Sequence, residues 1–340
     1  MNAATYPQTM SAAKLHHYVP QAYLARFGHN NQVKVRRRPP GATHRSHVKN
    51  VAAETGFYTV TANDGTTSTI IEERLSDLES AGIQAMRRID EGGELPAIGS
   101  DDRETLCLYL AVQMARTPRK RTPVLFSHAV ATYAGGRTVD RRLIADYLER
   151  RHLGREPSTA EVEGAWTYFH SMRTQIGGNP QNAAISATLG PIAQYLRYFR
   201  ARHWCLETCR KPAFLTSDAP LVLWWPPSDR DNHRGVGLQD ADEIRFPLDL
   251  YKQLVLTPGD GNSVREVKLS RAVACNQDLA DSCERVIVGH PDRDAWLDRP
   301  ELSERGPVLR FNFAPLFDEG PDGSRQKSGR DVLHVWTTRR

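Results

Sequence analysis

No stretch of the chain approaches the roughly 18 consecutive apolar residues that a membrane-spanning helix needs, so no membrane span is expected. The opening MNAATYPQTMSAAK lacks the apolar run of a secretion signal, and a soluble cytoplasmic protein is the expectation. Cysteine is scarce. The five present are irregularly spaced, which fits free thiols in a reducing compartment rather than a disulfide framework. Lysine is scarcer still for a basic chain: only eight of 45 basic residues are lysine, so the net charge of +5 rests on arginine. Such a skew follows from GC-rich coding as readily as from phosphate recognition, where the planar guanidinium fork has a use. There is no GxxxxGK[ST] loop and no dinucleotide fingerprint, which removes ATPase and dehydrogenase chemistry. No HExxH spacing supports a zinc protease, and no GxSxG elbow surrounds Ser217, which argues against a Ser-His-Asp triad.

The chain does carry 340 residues, 39% of them apolar and 25% charged, enough for one large domain or two ordinary ones with a real core. The pattern is α+β. A mixed or antiparallel sheet is expected from an N-terminal hairpin and C-terminal strands, with a large central helical region. Pro20 suits a first helical turn, and Tyr23, Leu24 and Phe27 form its apolar face, with Gly28 as the stop. QVKVRRR alternates as a strand, and FYTVTANDGTTSTII predicts a hairpin turning at Asp64-Gly65. A helix is expected over 71–90. The segment 101–202 is expected to be helical throughout, with Ser158 and Glu161 as a capping box. Short strand-like runs follow from 203, then a helix over 269–287 and a last strand, VLHVW. The domain expectation is a flexible leader at 1–14, one domain over 15–290 and an extension over 291–340. Residues 304–330, rich in Gly, Pro and charge, are expected to be partly mobile.

HHYVPQAYLARF at 16–27 resembles the marker of the bacterial HYVP-motif proteins, a DUF 4238-like family of unknown function. KNVAAETGFYTV, EERLSDLES, LYLAVQMARTP, FLTSDAPLVLW and EIRFPLDL resemble the family's successive blocks in the same order, so the resemblance spans most of 16–290. Ala22 stands where the family commonly has an aromatic and Ala219 where it commonly has Asn; the second puts a role for an amide there in doubt. The resemblance carries no catalytic residues with it.

The candidates therefore come from the residues themselves. His16 and His17 precede a helix, whose positive end favours neutral imidazoles able to ligate metal or act as a base; the plain alternative is a cap or a carbonyl hydrogen bond. Asp218 stands at a strand end before Pro220, either as an active-site carboxylate or as an Asx-turn. Gln113 and Arg116 fall on an apolar helical stripe, as does Asn276, and Glu79 lies at the edge of an earlier one. Buried amides need partners, so either these are core networks or Glu79, Gln113 and Arg116 converge on His17. The arginine-rich runs Arg36-Arg37-Arg38 and ARTPRKR (115–121) are either a solvated surface or a footprint for nucleic acid or a nucleotide.

Two functions remain. The first is a metal-assisted hydrolase of phosphodiesters. His17, Asp218 and Arg116 would be catalytic, Gln113, Asn276 and His16 would bind substrate, and a divalent metal would be the cofactor. The second is a non-catalytic module that binds nucleic acid or protein, in which HYVP is a structural staple.

Overall fold

The computed structural model describes residues 15–39, 41–62, 64–68, 70–172, 179–226, 236–319 and 325–338. The expected leader at 1–14 lies outside them. The chain opens with β1 (Leu15–His17), then α1 (Gln21–Leu24), β2 (Gln32–Arg37), β3 (His44–His47) and β4 (Ala53–Thr55). The hairpin β5 (Val60–Thr61) and β6 (Thr67–Ser68) turns where Asp64-Gly65 predicts it: Gly65 takes φ +82°, and the Asp64 carboxylate accepts from the Thr66 N–H at 2.9 Å.

The helical region follows as α2 (Ile70–Gly92), α3 (Asp101–Ala115), α4 (Pro118–Ala134), α5 (Arg141–Leu148), α6 (Thr159–Ser171), α7 (Pro180–Leu189) and α8 (Ile192–Arg200). Ser100 and Asp140 cap α3 and α5, and the Ser158–Glu161 capping box starts α6. Helix α3 is apolar most of the way round because it is central. It packs on α2, where a Cβ at Gly82 would lie 2.4 Å from the Tyr109 ring.

The strands after the helices are β7 (Arg202–Thr208), β8 (Thr216–Ser217), β9 (Val222–Trp224), β10 (Glu243–Pro247), β11 (Lys252–Pro258) and β12 (Asn262–Glu266). They form a mixed five-stranded sheet in the order β12-β7-β11-β10-β9, with β12 parallel to β7 and the other pairs antiparallel. After α9 (Leu269–Ser282) comes β13 (Val286–Gly289), which completes an antiparallel sheet, β3-β2-β13-β8. The N-terminal strands β2 and β3 thus share a sheet with β8 and β13, whereas the hairpin β5–β6 expected to join the C-terminal strands forms a two-stranded sheet of its own; the fold is α+β. One expectation fails in detail. The helix anticipated over 269–287 stops at Ser282, and 286–289 form a buried strand instead.

From Val308 on, the described part of 304–330 forms strand. β14 (Val308–Glu319) and β15 (Arg325–Thr338), joined antiparallel, lay Val308, Leu309 and Phe311 onto α4, α5 and α6. This core around Phe126, Ile144 and Ala165 is distinct from the main one beneath α2, α3 and the five-stranded sheet. Gly164 admits the approach, since a Cβ there would lie 2.6 Å from that of Phe311.

The Pro20 helix is shorter than its pattern suggests: α1 ends at Leu24 and a 3₁₀ turn covers Ala25–Phe27. Gly28 then stops it for reasons of space, not handedness. Its backbone is extended, but a Cβ would meet the Gln32 carbonyl oxygen at 2.1 Å and Val33 Cγ1 at 2.8 Å. Because the nearest obstacle is backbone, Gly28→Ala is expected to destabilise by about 1–3 kcal/mol, read as a lowered urea midpoint.

Candidate functional site

Strand β1 pairs antiparallel with β4, His16 opposite Glu54 and His17 opposite Ala53. Strand alternation sends the two imidazoles to opposite sides. His16 is fully buried. Its Nδ1 accepts from the Tyr58 N–H at 2.8 Å, which leaves Nε2–H facing Glu72 Oε2 at 3.2 Å. His17 faces the other way, into a cleft of about 490 Å³ between the HYVP segment and one face of α2. Glu72, Ser76, Ser80 and Gln84 form one row of that face, and Leu75, Glu79 and Ile83 the row beside it, as helical spacing requires. Gln21, Ala22, Tyr58 and Arg87 complete the lining.

The hydrogen bonds of His17 settle its tautomer. The Lys49 carbonyl oxygen lies 3.0 Å from Nε2 and can only accept, so Nε2 carries the proton and Nδ1 carries the lone pair. The Gln21 amide approaches Nδ1 at 3.4 Å, a long contact that a ligand can displace. Burial pushes the imidazole below its usual 6.5, opposed by the Lys49 carbonyl and then by Glu79 and Glu72. The cause is not the helix end expected from the sequence: His17 sits on a strand, and α1 is a single turn.

Glu79, Gln113 and Arg116 do converge on this region. Gln113 Nε2 donates to the Tyr18 carbonyl at 3.1 Å. Its Oε1 accepts from Arg116 Nε at 3.0 Å and Nη2 at 2.7 Å, and Arg116 Nη1 reaches Glu79 Oε1 at 2.5 Å. One chain of contacts therefore ties the HYVP segment through α3 to α2. The arginine is 1% exposed, and Glu79 and the nearby Tyr58 and Tyr109 hold its charged form above the ordinary arginine range. Arg116 does not line the cleft. Its guanidinium positions Glu79, the one member of this set that does.

Asp218 and Asn276 lie elsewhere. Asp218 is fully buried, and its carboxylate accepts from the Glu284 N–H at 2.9 Å and the Arg285 N–H at 2.7 Å, fixing the turn into β13. Burial pushes its acid up to about 6 against those N–H groups. Its charge acts on the Tyr18 hydroxyl of the HYVP segment. Asn276 clamps 213–215 to α9, donating to the Ala213 carbonyl at 2.7 Å and accepting from the Leu215 N–H at 3.0 Å. These two residues, with the buried His16, stand outside the cleft lining; Asp218 and His16 hold backbone N–H groups distant in sequence rather than making the Asx-turn, cap or carbonyl bond weighed above.

The arginine runs are also engaged within the protein. Arg119 pairs with Glu284 at 3.3 Å, and Arg121 lies over the Phe57 ring at 3.4 Å and donates to its carbonyl. Arg36 donates to the Pro300 carbonyl at 2.8 Å, and Arg38 to those of Ser303 and Arg305 at 2.7 and 3.0 Å; Arg37 is exposed.

Sequence reasoning missed Tyr58, Glu72, Ser76, Ser80 and Arg87. The available signal was the polar row of the EERLSDLES block, which looks like any solvated helix face until a second element covers it. Among the described residues no group of three His, Cys, Asp or Glu side chains is placed to hold a metal ion. Among them, too, no helix is long and apolar enough to cross a membrane.

A family model described as "Protein of unknown function (DUF4238)" matches residues 15–293. No curated protein and no solved structure matches the chain.

Proposed function

The chain belongs to the DUF4238 family, and from that premise we propose that it is a hydrolase whose active site is the cleft between the HYVP segment and α2, with His17 as general base. The observation that carries this reading is the fixed tautomer. A neutral imidazole anchored through Nε2–H to the Lys49 carbonyl presents its Nδ1 lone pair in a cleft, with two carboxylates near enough to stabilise the cation it becomes. Water attacks an ester carbonyl carbon while Nδ1 takes the water proton. The same proton then passes to the leaving oxygen as the C–O bond breaks, so the imidazole ends neutral.

Charge chooses the substrate. Glu72 and Glu79 line the cleft and Arg116 is turned inward onto Glu79, so a phosphodiester would meet like charge without the expected clamp. An uncharged or cationic polar ester suits the lining better. The nucleic-acid alternative drew on two arginine runs whose guanidiniums, Arg37 apart, serve contacts inside the protein, so no observation favours it.

The test is turnover of p-nitrophenyl acetate against bis(p-nitrophenyl) phosphate. The acetate is expected to be cleaved faster, and His17→Ala is expected to lower its kcat by about 10²–10⁴-fold without loss of fold. Since burial lowers the imidazole, the base form persists above that lowered value, and activity should rise with pH along a limb below 6.5. Undiminished turnover by His17→Ala would sink the proposal, as would preference for the phosphodiester.

A further inference from the structure

We infer that the substrate is an ester whose acyl chain ends in a carboxylate beyond an apolar spacer, and that Arg87 binds that carboxylate at the far end of the cleft from His17. The inference rests on the hydrolase reading of the cleft and names the substrate class that it takes.

Helix α2 supplies the geometry. Leu75, Glu79, Ile83 and Arg87 recur every four residues and so form one row along the cleft wall. Glu79 is the foremost carboxylate acting on His17, which puts the reacting end of the cleft beside it. Arg87 stands two turns further on, about 12 Å along the axis at 1.5 Å per residue. Between the two charges comes Ile83, which is 6% exposed. The row therefore reads acid, apolar side chain, base. A cleft of about 490 Å³ is also larger than an acetyl ester fills and suits a longer ligand.

Arg87 is the only arginine or lysine among the described residues that line the cleft. It is exposed, and among the described residues it makes no ion pair or hydrogen bond. The arginines around it are engaged: Arg88 with Asp102, Arg26 with Asp90 and Asp249, Arg116 with Glu79. Asp90, three residues on along α2, is shared by Arg26 and Lys252. A free guanidinium offers a carboxylate a planar, two-pronged donor. It also balances the single charge of a carboxylate, whereas a phosphate dianion would be left half neutralised. The acids that turn away a phosphodiester stand at the reacting end. A tail carboxylate at Arg87 lies further from Glu79 than the Debye length of about 8 Å at physiological salt.

The experiment measures 4-nitrophenol release by the full chain from mono-4-nitrophenyl suberate and from its terminal carboxamide, which keeps the shape and removes the charge. An extended suberyl chain reaches roughly two helical turns. The wild-type kcat/KM is expected to be about five- to tenfold higher for the carboxylate. The difference should lie in KM, because the tail contact is the same before and during reaction. Arg87→Gln is expected to bring the ratio near one, and Arg87→Lys to keep part of it. Arg88→Gln, which removes a charge outside the cleft lining, is expected to keep the wild-type ratio. Since Arg87 is exposed, neither substitution there is expected to disturb the fold.

A wild-type ratio near one with His17→Ala inactive would overturn this inference and leave the general base standing. A ratio that survives Arg87→Gln, or that is carried by kcat, would overturn it too. Equal losses in Arg87→Gln and Arg88→Gln would mark a general effect of surface charge and likewise overturn it. Loss of the ratio in Arg87→Gln beside full turnover by His17→Ala would keep the carboxylate anchor and remove the base. A wild-type chain inert on both esters would overturn both.

Discussion

Arg116→Met is expected to lower the unfolding free energy by about 3–5 kcal/mol, the cost of breaking a buried ion pair by removing one partner. Methionine keeps most of the bulk, so the loss is electrostatic and polar rather than a cavity. It strands the Gln113 Oε1, which is fully buried and has two N–H donors from this guanidinium. It also strands Glu79, whose side chain is 26% exposed and can rehydrate in part. That relief places the expectation toward the lower end of the range. Adding Glu79→Gln should recover part of the loss, and a double-mutant cycle in urea would measure the coupling. Single and double losses that simply add would show the pair to be energetically independent and the expectation wrong. Because Arg116 also holds Glu79 near His17, the variant should lose ester turnover beyond its loss of stability.

Stability should also fall as pH rises from about 5 to 7.5, and Glu284→Gln should flatten that fall. Burial first, and then the nearby Asp218 carboxylate, push the Glu284 acid up to about 7 although Arg119 lies 3.3 Å away. A folded value above the ordinary 4.5 means that the native state holds the proton more tightly than the unfolded chain. The resulting stabilisation is complete below 4.5 and is lost as pH rises through about 7. At about 1.4 kcal/mol per unit the whole span amounts to about 3.5 kcal/mol, of which about 2–3 kcal/mol falls between pH 5 and 7.5, and Asp218, also raised, titrates with it as a pair. His17 has the opposite sign, since a depressed base favours the native state as pH rises, so the difference between wild type and variant is the informative quantity. Urea midpoints at pH 5 and 7.5 supply it. Parallel profiles for the two proteins would show that Glu284 titrates normally.

Much of the fold was legible because local and tertiary signals agree. The capping residues Ser100 and Ser158 sit where helices start, and α3 is apolar most of the way round because most of it is buried. Failures came where a distant residue decides the local outcome. The helix expected over 269–287 carries an apolar stripe of Leu269, Ala272, Val273, Leu279, Ala280 and Cys283 and no Gly or Pro to stop it. The stop is Asp218, more than sixty positions away, whose carboxylate takes the N–H groups of Glu284 and Arg285. Sequence exposes a charge but not its partner. The arginine runs therefore read as either a solvated surface or a nucleic-acid footprint, and nothing in the sequence shows that carbonyls at 300–305 and an aromatic ring are among their partners. At the site, convergence of Glu79, Gln113 and Arg116 on the HYVP segment could be anticipated from buried polar positions on helical stripes. Tyr58 could not, because a tyrosine in a turn carries no periodic signal, and only the folded chain sets it beside His17 and Arg116.

The β14–β15 hairpin bears on how this chain should be cut for expression. The family match ends at 293, but the strand that covers the apolar sides of α4, α5 and α6 begins at 308. A fragment trimmed to the matched boundary would keep the cleft and yet lay bare Phe126, Val130 and Ile144, a patch of the kind that drives self-association. The family boundary and the length of chain that covers this core are then different, and the longer one is the protein to purify.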